Sequence, residues 1–137
     1  MRRLIVDTGP IVSFLNANDS HHAWTRALLD RTEPPLATCE AVLSEACFLL
    51  RTLHSGPDAV LDLVERGVLV VGFSLSTEIV AVRKLAARYA NVPMSLADAC
   101  LVRMAELDDK AAVLTFDSDF AVYRKNRRQV IPTVRPN

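Results

Sequence analysis

Leu4-Ile5-Val6-Asp7-Thr8-Gly9-Pro10 begins as a short apolar run and ends in an acid followed by turn chemistry. Such a run is a buried strand, and its acid stands where the strand leaves the core. The pattern returns at Ala112-Val113-Leu114-Thr115, which Asp117 follows, and Val68-Leu69-Val70-Val71 is another apolar run of the same kind. Between these runs the apolar residues recur at helical spacing. Short apolar strands separated by helices, with no apolar–polar alternation, specify an α/β domain whose parallel sheet is covered on both faces. In such sheets sites form at the carboxyl ends of the strands, where Asp7 and Asp117 are both expected.

Outward from the first strand, Pro10 to Asn16 reads as a short helix, with Pro near a first turn that does not need its N–H. Asn18-Asp19-Ser20 then caps a second helix through Trp24, Ala27 and Leu28, which stops before Pro34-Pro35. Leu36-Ala37-Thr38 is a brief apolar link or short strand. From Glu40 to Leu53 the positions Val42, Ala46, Leu49, Leu50 and Leu53 define a buried stripe, with Glu45 about 60° from Val42 at its edge. Ser55-Gly56-Pro57-Asp58 breaks the chain, and a helix through Val60, Leu61 and Val64 stops at Gly67. Ile79, Val82, Leu85, Ala86 and Tyr89 mark a longer amphipathic helix. Met94-Ser95-Leu96-Ala97-Asp98 opens the next, whose inner face is Ala97, Leu101, Met104 and Ala105. After the third strand a turn or short helix from Phe120 to Tyr123 leads into the basic run Arg124-Lys125-Asn126-Arg127-Arg128, and Val130-Ile131 is the expected last strand.

The 137 residues, half of them hydrophobic, suffice for one domain spanning 1–137 and not for two. Sixteen basic and sixteen acidic side chains cancel, so an anionic partner must be met by a local patch. The apolar runs are shorter than a membrane span, and Met1-Arg2-Arg3 leads directly into a strand, which makes a cytoplasmic protein the expectation. Cys39, Cys47 and Cys100 are odd in number and lack a short-spaced pair, the pattern of buried free thiols rather than a disulfide framework or zinc site. His21, His22 and His54 are too scattered to form a nucleophile system with them. A helix start with a buried Trp accounts for His21, His22 and Trp24, and no aromatic-rich run suggests a stacking platform.

Each acid alone has a structural explanation. Asp7 and Asp117 or Asp119 suit turns and caps, and Asp98 stands three residues after Ser95 in a capping-box arrangement. Together they ask for more. Asp98 shares a helix side with Val102 and Ala105, and Glu45 edges an apolar stripe, so both charges face the core, where burial is costly unless paired. If these helices pack on the strands bearing Asp7 and Asp117, the acids converge at one end of the sheet. Two carboxylates 4 Å apart repel by about 1 kcal/mol in water and about 4 kcal/mol at an effective dielectric of 20, so the group requires cations. Hard oxygen ligands without His or Cys point to magnesium or manganese. One or two such ions activate water and stabilise a leaving oxygen, which is the chemistry of phosphodiester hydrolysis.

The segments "LIVDTGPIVSFLN", "AVLSEACFLL", "SLADACLV" and "VLTFDSDF" resemble the four successive acidic motifs of PIN-domain ribonucleases, in particular the VapC-type toxins of bacterial toxin–antitoxin pairs. The resemblance runs from Leu4 to Phe120 and implies a three-layer α/β/α fold with a central parallel sheet of four or five strands. It further implies a magnesium- or manganese-dependent ribonuclease, with Asp7, Glu45, Asp98 and Asp117 or Asp119 as the metal-binding and catalytic acids. Asp7 and Asp98 would hold the principal ion, Glu45 would orient or deprotonate the attacking water, and Asp117, nearer the strand end, or Asp119 would bind a second ion or water. Thr8 and Thr115 would support these acids with their hydroxyls. Arg124, Lys125, Arg127 and Arg128 are candidates for RNA phosphates, weighed against a solvated face. A homodimer and a small antitoxin whose tail enters the acidic site are the implied partners. Two other readings compete: a non-catalytic RNA- or partner-binding module of the same fold, and a dimeric aspartic protease suggested by Asp7-Thr8-Gly9, which the helical periodicity disfavours.

Overall fold

The computed structural model describes residues 3–136; the opening Met1 and Arg2 lie outside the described residues. Strand β1 (Arg3–Val6) is the centre of a five-stranded sheet that also contains β2 (Leu36–Ala37), β3 (Leu69–Val70), β4 (Ala111–Leu114) and β7 (Thr133–Val134). The order is β3-β2-β1-β4-β7, and every pairing is parallel. Apart from Arg3, β1 and β4 are buried throughout, as central parallel strands must be. Their register pairs Val6 with Leu114, so Asp7 and Thr115 leave the sheet side by side.

Among the described residues six helices flank the sheet: α1 (Thr8–Leu15), α2 (His22–Asp30), α3 (Glu40–Leu49), α4 (Gly56–Glu65), α5 (Ile79–Arg88) and α6 (Leu96–Leu107). α1 packs on α2, α3 and α4, while α6 lies against α5, β1 and β4. The buried side of α6 carries Ala97, Leu101, Val102 and Ala105, all essentially without exposure. This is the α/β architecture expected from the sequence, and a helix-rich parallel sheet removes the mostly-β protease scaffold.

Four local expectations are corrected. α3 ends at Leu49 rather than Leu53, because Gly56 opens α4 directly beneath it: a Cβ at Gly56 would lie 2.2 Å from the Leu50 carbonyl. Leu49 is 54% exposed and leaves the stripe, which narrows to Val42, Ala46 and Leu50. On α4 it is Leu63 that is buried, and Leu61 is exposed.

The last sheet strand is Thr133–Val134, three residues beyond the expected Val130-Ile131. Gln129–Val130 (β6) instead pairs antiparallel with Arg124–Lys125 (β5) in a small hairpin. Asn126 and Arg127 turn that hairpin with positive φ, so the basic run is one hairpin strand, Arg124–Lys125, and the turn that follows it. Ile131 enters the core and the Pro132 carbonyl accepts from Val113 N–H at 2.8 Å, which starts the parallel ladder only there.

Candidate active site

Asp7 continues β1 by one residue, its N–H donating to the Leu114 carbonyl at 2.9 Å, and then becomes the N-cap of α1. Each oxygen of its carboxylate accepts one hydrogen bond, Oδ1 from Thr8 N–H at 2.7 Å and Oδ2 from the Thr115 hydroxyl at 2.7 Å, which leaves each a further lone pair. Thr115 Oγ1 in turn accepts from Asp117 N–H at 2.9 Å, so one buried hydroxyl fixes both acids of the adjacent strand ends. Asp117 caps the 3₁₀ turn Ser118–Ala121 through Asp119 N–H at 2.8 Å.

Asp98 stands at the start of α6 in a complete capping box, accepting from Ser95 N–H at 3.2 Å while its own N–H donates to Ser95 Oγ at 3.0 Å. The Tyr123 hydroxyl donates to the same Asp98 Oδ2 at 3.1 Å. Glu45, on α3, accepts from the Thr8 hydroxyl at 2.9 Å. Unlike the other acids it is exposed, at the mouth of the site rather than against the core, which corrects its expected burial. Leu49, one turn further along α3, shares that outward face and forms pocket wall.

These elements close around a pocket of about 350 Å³ lined by Asp7, Thr8, Glu45, Asp98 and Asp117, with Gly9, Leu49, Ser95 and Phe116 completing it. No basic side chain is among the lining residues. Burial pushes the Asp7 carboxyl above the usual carboxylate range, against the opposing hydrogen bonds from Thr115 and Thr8, and the charges of Asp117 and Glu45 push it further. Asp98 is raised in the same way, first by burial and then by Asp7 and Asp117, with the Ser95 and Tyr123 bonds opposing. Burial also raises the Tyr123 phenol, followed by the charge of Asp98, so the hydroxyl remains a proton donor to that acid.

Asp7, Asp98 and Asp117 all stand at helix or 3₁₀ N-termini, where unpaired N–H groups and the helix dipole favour negative charge. Capping and site formation are therefore the same arrangement. Among the described residues no three His, Cys, Asp or Glu side chains are grouped closely enough to hold one metal ion as they stand. The donor chemistry nonetheless fits magnesium or manganese, which take one or two protein carboxylates and keep water in their other positions. On Asp98 both bonds fall on Oδ2, on Asp117 the bond falls on Oδ1 and on Glu45 on Oε2, leaving a second oxygen of each for a further ligand.

Asp119 is half-buried and does not line the pocket. Of the basic run, the Arg124 guanidinium donates to the carbonyls of Ala121, Val122 and Tyr123, and Lys125 is buried, whereas Arg127 and Arg128 are exposed. Sequence reasoning missed Tyr123 and Phe116. Phe116 stands between two site residues in "TFD", a position that could have drawn attention; Tyr123 reaches Asp98 by a tertiary contact with no local signal.

The strand-end acids, their shared hydroxyl and the parallel sheet that bears them define an α/β domain of one family: a model of the PIN domain matches residues 4–126, and the chain belongs to the PIN-domain family. Among solved structures it is similar to VapC20 of Mycobacterium tuberculosis, a toxin that cleaves the sarcin–ricin loop. The two share 23% sequence identity over 87% of this chain and 93% of that one, with a TM-score of 0.78, which establishes a common fold. No curated protein matches in sequence.

Proposed function

We propose that residues 1–137 act as one endoribonuclease unit, dependent on magnesium or manganese, and that it is the toxin of a toxin–antitoxin pair working in the cytoplasm. The observation that carries this reading is the gathering of Asp7, Glu45, Asp98 and Asp117 from four separate elements into one pocket with no basic lining residue. Such an assembly of carboxylates needs cations to be stable when ionised. Family membership and the likeness to an RNA-cleaving toxin support the same reading.

Asp7 and Asp98 are the residues to hold the principal ion, and Asp117, which lines the pocket, is preferred to Asp119 for a second ion or a bound water. A divalent cation held there supplies charge neutralisation at the phosphate and leaving oxygen and lowers the pKa of a coordinated water. Glu45, at the mouth and tethered through Oε2, orients the attacking water and accepts its proton. Thr115 and Thr8 keep Asp7, Asp117 and Glu45 in fixed relative positions. A second copy of the chain and a small antitoxin whose tail enters the acidic pocket are the proposed protein partners. Among the described residues no helix is long and apolar enough to cross a membrane.

The test is single-turnover cleavage of RNA with magnesium or manganese by the wild type, Asp7→Asn and Asp98→Asn. Both variants are expected to lose more than about 100-fold in rate, beyond the cost of losing a merely supporting partner. Equal cleavage by all three proteins, or none by any across a broad RNA panel, would overturn the reading in favour of a non-catalytic binding module.

A further inference from the structure

Phe116 is placed unlike the chain's other aromatic residues near the sheet. Phe14 and Phe73 pack against the core and Phe120 lies within it, whereas Phe116 does neither. It is half-exposed, lines the acidic pocket beside Asp117, and its ring sits over Gly9, where a Cβ would lie 3.1 Å from Phe116 Cδ2. Two further rings meet it from the start of α2. The His21 centroid is 4.4 Å from that of Phe116, the planes tilted by 37°, and the Trp24 centroid is 5.8 Å away in an edge-on arrangement at 64°. His21, Trp24 and Phe116 are each half-buried residues, Trp24 packing in part against the core. His21 is held from behind, its backbone N–H donating to Asp19 Oδ1 at 2.8 Å, and His22 is tied through Nδ1 to the Ser13 carbonyl.

A pocket of carboxylates binds a phosphate only through cations, and its carboxylates offer a nucleobase hydrogen-bond acceptors but no face to stack on. A partly exposed aromatic cluster at its edge offers a π surface of the kind on which every base stacks. A paired base has its faces covered by its neighbours, so only an unpaired base reaches such a surface. We infer that His21, Trp24 and Phe116 form a stacking platform for one unpaired nucleobase flanking the phosphate at the acidic pocket. This rests on the ribonuclease reading and adds to it the residues that receive a base beside the cleaved bond. The three residues come from segments almost a hundred positions apart in the chain, which is why no aromatic run in the sequence announces them.

The experiment compares magnesium-dependent cleavage of a single-stranded RNA with that of the same strand lacking one base, removed in turn on each side of the cleaved bond. In the wild type, one of the two abasic strands is expected to need a five- to hundredfold higher concentration for half-maximal rate, with a smaller change in the maximal rate. Phe116→Ala should show the same loss on the intact strand and no additional loss on the abasic one; Phe116→Tyr, which keeps an aromatic ring, should restore the discrimination between the two strands. Trp24 is the chain's single tryptophan, so its fluorescence should change on adding the intact strand and not on adding the abasic one.

The abasic comparison is made within the wild type and depends on no variant folding. Cleavage that ignores both base removals, or a Phe116→Ala protein that still distinguishes the abasic strand as the wild type does, overturns the platform and leaves the ribonuclease reading standing. A wild type that neither binds nor cleaves RNA overturns both.

Discussion

Asp98 Oδ2 takes the Ser95 N–H and the Tyr123 hydroxyl while the residue is only 7% exposed, and burial outweighs both bonds in setting its pKa. The folded chain therefore holds protons on Asp98 and Asp7 more tightly than the unfolded chain does. Metal-free stability attributable to these acids falls as pH rises through their raised pKa values and recovers below them. Asp98→Asn keeps an acceptor for both bonds and removes one charge. It should be more stable than wild type near pH 8 without metal, by the order of 1 kcal/mol, because it removes a charge that burial penalises first and Asp7 and Asp117 next. The gap should close as pH falls through the raised pKa values. With magnesium or manganese at a hundred times its Kd, the wild type should gain about 2.7 kcal/mol and the variant much less. Thermal melts across pH, with and without metal, measure both; a variant less stable at every pH without metal would contradict this account. Asp7, Asp98 and Asp117 could be singled out from sequence because each has a local signature, a strand end or a cap. Tyr123 could not, since its importance to Asp98 arises only when the segment after β4 returns across α6.

At the level of elements, the α3–α4 corner shows where periodicity reaches its limit. Val42, Ala46 and Leu50 were legible as a stripe, yet the point at which α3 stops is dictated by Gly56, whose missing side chain admits the Leu50 carbonyl. Gly56→Ala should cost roughly 2–3 kcal/mol through overpacking, although alanine is the better helix former. A denaturation midpoint equal to or above that of the wild type would contradict the close approach. The hairpin β5–β6 is the complementary case. Its residues read as a charge run followed by an apolar strand, and only the left-handed Asn126 and Arg127 together with Pro132 move the sheet strand on to Thr133. β3 was legible as apolar, but its position at the sheet edge, with Val70 44% exposed, depends on strand order, which no local pattern contains.

For the molecule as a whole, a formal net charge of zero means that RNA attraction must come from particular cations rather than from a general field. Arg127 and Arg128 are exposed, and Arg127 borders a small groove that also includes Lys84 and Arg88. Arg127→Ala combined with Arg128→Ala should weaken binding to all RNA sequences alike and reduce the salt slope by about 1 for each phosphate no longer neutralised. An unchanged slope, measured by titration at several salt concentrations, would assign the run to the hairpin alone. The central pairing of β1 with β4 has a further consequence. Val6 meets Leu114, and the hydroxyl that locks Asp7 belongs to Thr115, 108 residues later in the chain. Pairings of such long range form late, because loop closure must precede them. A nascent copy that has not yet added β4 carries Asp7 on a strand with one open edge and no partner for its second oxygen. On the proposed reading an unfinished chain is thus an inert one, its acids held in place only when β4 has joined β1.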